Sequence, residues 1–562
     1  MSETPPPVTG GASQSRRMGA DTLSPALSLL AILGLGAAQW GLQGVLLPGL
    51  NERHIDAWAE SLGQVSGSVS LYRATFSIVA LGIFPYLVAT VSIQVLSSLV
   101  RQLGGATVRE ATTPRVDRAV LAVTLVVALV QAWFITQFLE RSGVPGTNQQ
   151  LVHWPGWSFR VPAVCALVAG VFLLLALARA TSRLARVNGV GCLLAIGIVE
   201  GLFSDARLAT ILDSLPTFVL VLAVCSGLSL LLLRTTRLHA LRDGRGRTWA
   251  APPSMRIPLG PAGGAPLVIG LLLMAGLQRG SFSDPWLGSF RDADGLPALA
   301  LLALSSFGLT YAWPALFRIP ERVSEGMRAA RLFLLGVRPG AETEVRMKAA
   351  WMRPTLSGAG ILVALALAPV LLPALGMGGL AGLPSVSRGV SILFLMAMVL
   401  DVREALRRAP GPLLAPTPLP SGDGTPTASS ADGRCSACSV EVADEFAVCW
   451  SCGVPVTPIA PLSPQRVLPE APAGGGAPTT VARMTFPIDA EMARLALEAE
   501  RIPVRVLDAH LVTANWFLAM AVGGIRVQVP AECAASAREL LFPAQDGADR
   551  HKGRGSQQGS TP

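Results

Sequence analysis

Long apolar runs constrain this chain more than any other feature of its sequence. A bilayer core about 30 Å thick is crossed by roughly 20 helical residues. The sequence is 51% hydrophobic and only 14% charged, and its apolar runs are continuous. These properties predict an all-α polytopic membrane protein. Ten spans are predicted, near residues 24–48, 76–99, 117–138, 161–180, 189–204, 214–234, 262–278, 297–317, 357–375 and 389–407.

Basic residues indicate the orientation of these spans. Cytoplasmic loops of membrane proteins are enriched in Lys and Arg. With a cytoplasmic N-terminus, the predicted inside loops hold most of the basic residues up to Arg408. The N- and C-termini are therefore both predicted in the cytoplasm. The net charge of +9 is attributed to this bias, and direct DNA binding is not expected.

The second run, FSIVALGIFPYLVATVSIQVLSSLV at residues 76–100, contains polar and helix-breaking residues. A proline inside a helix removes a hydrogen bond and bends the axis. Irregular backbone at membrane depth is tolerated where it is buried in protein or lines a cavity. The run therefore predicts a span broken at Pro85 that lines a path, and an ordinary kinked helix is the alternative.

Several motifs occur along the chain in a specific order. They include LPGLN, GSVSLYRATFSIVALGIFPYLVATVSIQVL, IPLGPAGGAPLVIG, GVRPGAETEVRMKAAWMRPTLSGAG and VSILFLMAMVLDVREALRR. This ordered set closely resembles the SecY family of bacterial protein-conducting channels over residues 24–408. The resemblance implies two pseudo-symmetric five-helix halves around a pore, a topology typical of transporters built from inverted repeats.

The resemblance also implies residue roles. The pore ring falls at Ile83, Leu87, Val190, Leu194, Val268 and Phe394. The helix break and lateral gate fall at Pro85, Gln94 and Pro266, and a plug at about residues 61–75. A motor or ribosome would dock at Arg242, Arg245, Arg247 and Arg338. Pro261 replaces the family's usual Asn, which leaves open whether this is the housekeeping channel or a specialised paralogue.

The sequence after the last span is divided by Pro- and Gly-rich stretches. Such composition is typical of extended, disordered linkers. The predicted organisation is a disordered tail at 1–23, the channel at 24–408, a linker at 409–434, a zinc ribbon at 435–453, a linker at 454–480, an α+β domain at 481–543 and a disordered tail at 544–562.

Four cysteines form two CxxC pairs, Cys435/Cys438 and Cys449/Cys452. Two such pairs supply four thiolates for a tetrahedral structural zinc. Redox-active pairs are the alternative, but the βαβ context of a thioredoxin-like site is missing around them. The sequence therefore predicts a small zinc ribbon whose folding depends on the metal.

The segment 481–543 alternates predicted strands and helices, beginning with the strand VARMTF and ending with the helix AECAASARELLF. Its motifs HLVTANW and GGIRVQVP resemble small PII-like signal-transducing domains, which implies a ferredoxin-like α+β fold. His510, Asn515 and Trp516 are candidates for a ligand or partner site, and a locally packed loop is the alternative.

Three functions follow from these features. The favoured hypothesis is a non-enzymatic Sec-type channel subunit in the bacterial cytoplasmic membrane that moves unfolded polypeptides across or into the bilayer. Its expected partners are SecE-like and SecG-like subunits, a SecA-like motor or ribosome, and secretory or membrane proteins. The alternatives are a SecY-derived non-conducting scaffold or sensor and, more weakly, a secondary transporter of small solutes.

Overall fold

The computed structural model of this protein describes most of the residues between 25 and 542. The described ranges are 25–61, 75–104, 114–144, 149–185, 187–204, 215–238, 241–243, 254–279, 295–374, 387–406, 434–435, 437–442, 448–452, 454, 478–500 and 502–542. The predicted plug, linkers and terminal tails therefore lie largely outside the described residues.

A helix overlaps each of the ten predicted spans. These helices are α1 (Pro25–Gln43), α3 (Phe84–Gly104), α4 (Pro114–Arg141), α5 (Trp157–Ala185), α6 (Gly189–Ser204), α7 (Leu215–Leu232), α8 (Ala265–Arg279), α9 (Leu296–Leu316), α11 (Ala341–Ala374) and α12 (Ser387–Leu406). Two short polar helices, α2 (Glu52–Ser61) and α10 (Ile319–Ala329), lie between them.

Five helical stretches of the described residues are long and apolar enough to cross a membrane. They are Ala26–Gln43, Val116–Arg141, Trp157–Ala185, Leu296–Ala329 and Ala341–Leu372. Four shorter apolar helices are Phe84–Ser98, Gly189–Gly201, Phe218–Leu232 and Ala265–Leu277. The protein is a mostly helical, multi-pass membrane protein, and the total of ten spans stays a prediction.

The structure corrects the predicted break at Pro85. Residues 76–83 form turns, with Gly82 at φ +55°, and α3 begins only at Phe84. Pro85 thus lies in the first helical turn, where its missing N–H has no intrahelical partner to lose. The helix of the second span therefore begins at Phe84 and is preceded by non-helical chain. The prediction of a helix broken in its interior is wrong.

The first compact unit covers residues 1–90, 118–207 and 402–407. Its helices α1, α5 and α6 pack on one another. Buried residues of α5 recur at helical spacing, among them Phe159, Leu167, Leu174 and Ala178, and form one apolar stripe. A Cβ at Gly189 would lie 1.9 Å from the Ala178 carbonyl oxygen, so glycine permits the close contact of α6 with α5.

The second compact unit covers residues 91–117, 208–401 and 408–562. Helices α7, α8, α9, α11 and α12 contribute to its main apolar core, which includes the fully buried Leu267, Leu302, Leu365 and Leu393. Two strand pairs lie in the segments that connect helices of this unit. The strand β1 (Thr235–Leu238) pairs with β3 (Met255–Pro258), and β2 (Leu241–Asp243) pairs with β4 (Leu332–Leu334), both antiparallel.

The C-terminal domain (residues 478–542) also belongs to this unit. It contains β5 (Pro478–Met484), α13 (Pro487–Ala499), β6 (Arg505–Leu507), α14 (Ala509–Ala514), β7 (Ile525–Pro530) and α15 (Ala534–Leu541). Its described strands form one antiparallel sheet in the order β5-β7-β6. The predicted order of strands and helices is present, while the described residues 478–500 and 502–542 contain three strands and not the four of a ferredoxin-like sheet.

The close packing of α11 gives a testable prediction. A Cβ at Gly358 would lie 2.0 Å from the Leu259 carbonyl oxygen, whereas a Cβ at Gly360 meets nothing within 4 Å. We expect Gly358→Ala to destabilise the protein by about 1–3 kcal/mol, a typical cost of overpacking. Gly360→Ala is the matched control and should not be destabilised. Thermal unfolding of the detergent-purified protein measures both, and equal melting temperatures would contradict the packing described here.

Candidate functional site

The six predicted pore residues are apolar side chains in or beside membrane helices. Ile83 and Phe394 are buried, and the other four are half-buried. Leu87 lies in α3, Val190 and Leu194 in α6, and Val268 in α8. Ile83, Leu87 and the α6 residues belong to the first unit, and the remaining two belong to the second. Their assembly into a single ring stays a prediction.

The predicted gate residues are all buried. Pro266 is the second residue of α8, so this proline begins a helix just as Pro85 does. Gln94 has no exposed surface, and both functions of its side-chain amide are used. Its Nε2 donates to the carbonyl oxygen of Trp516 at 2.7 Å, and its Oε1 accepts from the N–H of Met520 at 3.0 Å.

The predicted docking arginines have different positions. Arg242 lies in β2, where its backbone pairs with Phe333 of β4. Arg245 and Arg247 lie outside the described residues. Arg338 follows β4 and is exposed, and its guanidinium lies 3.5 Å from the carboxylate of Glu441. This arginine therefore has an acidic partner in the cysteine-containing segment of the same chain.

The four predicted metal ligands lie together. The Sγ atoms of Cys435, Cys438, Cys449 and Cys452 are all within 4.8 Å of one another. Two of the pairs, Cys435–Cys452 and Cys438–Cys449, are 3.6 and 3.5 Å apart. Four thiolates at 2.3 Å from a tetrahedral zinc would be separated by roughly 3.8 Å. The cluster thus has the donor set and spacing of a closed, four-coordinate metal site.

The turns around these cysteines explain how the pairs converge. The Ser439 N–H donates to the Cys435 carbonyl oxygen, and Ser439 adopts a left-handed φ of 55°. In the second pair the Cys449 N–H donates to the Val454 carbonyl oxygen. Each turn thereby directs both of its thiols to one point. We call this part, the described residues between 434 and 454, the Cys module.

The thiols of the Cys module have shifted acidities. Burial raises the pKa of Cys449 to about 12. For Cys435, burial also acts to raise the pKa, but the backbone N–H groups of Cys438 and Ala437 outweigh it, and the pKa is lowered to about 7. A buried thiolate is stabilised when a cation coordinates it. A metal would therefore compensate the burial that opposes ionisation of Cys449.

The predicted tail site is occupied by contacts within the chain. His510 Nδ1 lies 2.9 Å from Asp401 Oδ1 in α12. The Asn515 side chain accepts from the N–H of Phe517, and Trp516 is only 6% exposed. The centroid of the Trp516 ring lies 5.1 Å from the ring centroid of Phe317 and 5.9 Å from that of Trp313. In this conformation the loop contacts membrane helices, and a ligand or partner site at these residues stays a prediction.

Asp401 is a contact residue that was not predicted from the sequence. Its side chain is 6% exposed in α12, and its two oxygens accept from the backbone N–H groups of His510 and Leu511 at 3.2 and 2.8 Å. The sequence does show a carboxylate at the end of an apolar run. Such a residue could have been singled out, because an ionisable residue in a membrane helix is usually functional. The partner of that carboxylate could not be read from the sequence.

Glu200 is a second acidic residue within an apolar helix. Its carboxylate accepts from Gln43 Nε2 at 2.9 Å and from Gln39 Nε2 at 3.3 Å. A secondary transporter would use such groups as ion or proton sites. Here both intramembrane carboxylates bond to fixed partners in the protein, so this geometry favours a structural role for them.

Comparison with known proteins agrees with the helical organisation. The SecY family model matches residues 77–402. The protein translocase subunit SecY of Thermotoga maritima is 27% identical over 357 residues, covering 58% of this chain and 80% of that protein. The SecY subunit of Escherichia coli K12 is 28% identical over 385 residues, covering 64% and 84%.

A solved structure is also similar. It comes from work on the SecY plug domain and the closed state of the translocation channel. The match covers 68% of this chain and 92% of the chain in that structure. The TM-score is 0.42 and the identity 13%, so the family match is the basis for the assignment below.

Apolar helices and these relatives define a multi-pass protein of the cytoplasmic membrane that belongs to the class of protein-transport proteins. More specifically, the family model covers more than half of the chain, and the chain belongs to the SecY family. The predicted zinc ribbon and the segment that resembles PII-like domains lie outside the matched residues.

The Cys module gives a second prediction. We expect the purified protein to contain one zinc per chain, and Cys438→Ser combined with Cys449→Ser to lose it, because two of four ligands disappear. Metal content is measured by mass spectrometry of the acid-digested protein. Cys533→Ser is the matched control, since Cys533 is not among the clustered thiols. Equal zinc content in the double variant would overturn the assignment.

Proposed function

We propose that this protein is the channel subunit of a Sec-type translocase, which moves unfolded polypeptides across the cytoplasmic membrane or sideways into it. The observation that carries the proposal is the SecY family match over residues 77–402. That range includes parts of nine of the ten predicted spans. The chain also covers more than two thirds of the length of the SecY relatives described above.

The proposed pore is closed by the six apolar residues from Ile83 to Phe394 named above. An apolar constriction offers an ion no replacement for its hydration shell, so it resists leakage. It also makes no directional bonds and can widen around a polypeptide of any sequence. The observed burial of Ile83 and Phe394 is compatible with this role.

We further propose that residues 61–75 act as the plug and that α3 and α8 border the lateral gate. Gln94 and Pro266 lie in these two helices. Opening the gate would separate the helices and allow an apolar segment of the substrate to reach lipid. The plug segment lies almost wholly outside the described residues.

Energy for transport is proposed to come from a partner. The sequence contains no GxxxxGK[ST] phosphate loop, the motif that binds nucleotide in P-loop enzymes. We propose SecE-like and SecG-like subunits and a SecA-like motor or ribosome as partners, with both termini cytoplasmic. Arg242, Arg245, Arg247 and Arg338 would contribute to docking, because arginine binds acidic surfaces and phosphates well.

The Cys module is proposed to be a structural zinc ribbon. Its four cysteines would fill all coordination positions, so the metal would supply folding energy and no catalytic position. Phe333 of β4 packs in the same small cluster as Cys435, Val442 and Cys449. A folded ribbon would thereby attach to the loop that precedes α11.

The pore is tested by cross-linking a stalled substrate. Leu87→Cys is placed in a background lacking the membrane cysteines Cys165, Cys192 and Cys225, and a secretory chain with one cysteine is stalled during transport. We expect a disulfide between the two. Val126→Cys, at a 60% exposed position of α4, is the control and should remain unlinked.

The same assay separates the two main functions. A stalled chain that links to Leu87→Cys and not to Val126→Cys supports the channel. If an authentic SecY channel gives the cross-link in parallel and this protein does not, the channel proposal fails. The SecY-derived scaffold would then be the better description.

A further inference from the structure

We infer that the C-terminal domain is a built-in clamp that bonds to the middle of α3, the turn before α8 and the last turns of α12, and that keeps the proposed channel closed until it is released. The contacts of the C-terminal domain with the membrane helices, which we call its seating, do not depend on the proposed function. The inhibitory role rests on that function, because a clamp can inhibit only a channel that opens.

The first anchor of the clamp is Gln94 in α3. Its amide lies in an apolar helix with no exposed surface, and both of its observed hydrogen bonds go to the backbone of residues 516 and 520 in the C-terminal domain. A buried amide without partners is costly. The C-terminal domain of the same chain thus provides the hydrogen-bond partners of Gln94.

The second anchor is the PAGGAP turn that begins α8. The Gly264 N–H donates to the Ala514 carbonyl oxygen at 2.6 Å. A Cβ at Gly263 would lie 1.5 Å from the Thr513 carbonyl oxygen, and Gly263 has a φ of +54°. Only glycine allows such a close approach in this conformation. The turn is shaped to receive the end of α14.

The third anchor is Asp401 in α12. It accepts from two backbone N–H groups at the start of α14 and lies beside the His510 ring. One short segment, residues 509–520, therefore bonds to three membrane helices. Trp516 adds apolar contact with Trp313 and Phe317 at the end of α9.

A rim of contacts surrounds these anchors. The Arg256 N–H donates to Glu491 at 2.6 Å, and Arg494 Nη2 donates to the Ser254 carbonyl oxygen at 2.7 Å. Met492 packs against Gly326 of α10. The C-terminal domain thus covers the start of β3 and part of α10, and a protein partner that uses this surface would have to displace it.

The position of the anchors suggests how the clamp would act. Gln94 and Gly264 lie in or directly before α3 and α8, the helices that we propose to border the lateral gate. Separating these helices would break the hydrogen bonds at one anchor or the other. Closure and seating of the C-terminal domain are therefore coupled, and binding energy from a partner or substrate would be needed to release it.

The clamp is tested by locking it with a disulfide. The Met492 Cβ lies 3.2 Å from the Cβ position at Gly326, close to the roughly 3.5–4.5 Å of a disulfide. The full chain carries Gly326→Cys, Met492→Cys and a protease site between residues 454 and 478. After oxidation and cleavage, we expect the C-terminal fragment to stay covalently attached, whereas each single-cysteine variant releases it.

The anchors are tested in the same chain. Gln94→Ala removes two hydrogen bonds to the domain and should lower the disulfide yield at short oxidation times at least threefold. Ser98→Ala is the matched control, because Ser98 lies one turn away and its hydroxyl donates to the Val95 carbonyl oxygen of its own helix. Equal yields for Gln94→Ala and Ser98→Ala, or no disulfide in the parent pair, would overturn the seating.

Inhibition is measured as the amount of a secretory protein that becomes protease-protected in vesicles containing the chain. We expect the oxidised double-cysteine protein to transport at least tenfold less than the same vesicles after reduction, with the unsubstituted protein unaffected by reductant. Equal transport by locked and reduced protein would overturn the clamp and leave the channel intact. If neither state transports while an authentic SecY does, the proposed function and the inhibitory role both fail, and the disulfide yield still decides the seating.

Discussion

Polar groups inside apolar helices need partners within the protein, because lipid provides none. In this structure Gln94 and Asp401 meet that requirement through the backbone of the C-terminal domain. The glycines at 263 and 264 allow the domain to approach closely enough for those bonds to form. The second unit thus depends on an appended domain to satisfy groups buried in its membrane helices.

The two C-terminal modules contact two different connections between helices of the second unit. The Cys module packs on Phe333, and the Trp450 carbonyl oxygen accepts from the Gly336 N–H at 2.8 Å. The C-terminal domain meets Ser254, directly before β3, through Arg494. Burial acts to lower the pKa of Arg494, and Glu491 and Glu498 raise it on balance. These two acidic residues lie in the same helix α13 and hold the guanidinium in place, and its Nη2 donates to the Ser254 carbonyl oxygen at 2.7 Å.

Much of the fold and of the cysteine cluster could be predicted, because both depend on local sequence. Apolar runs gave helices at the ten expected positions, and two CxxC pairs gave four converging thiols. The break at Pro85 was wrong, because composition alone does not show where a helix begins within an apolar run. Here the chain forms turns up to Ile83 before α3 starts.

The sequence by itself determined the class of protein, since continuous apolar runs admit few structures in a membrane and the ordered motifs match the SecY family. It also determined which four cysteines converge and the order of strands and helices in the C-terminal domain. Only the tertiary structure decided what Gln94, Asp401 and Trp516 contact. Their partners lie about one hundred to more than four hundred residues away along the chain, and no local pattern encodes a contact over that separation.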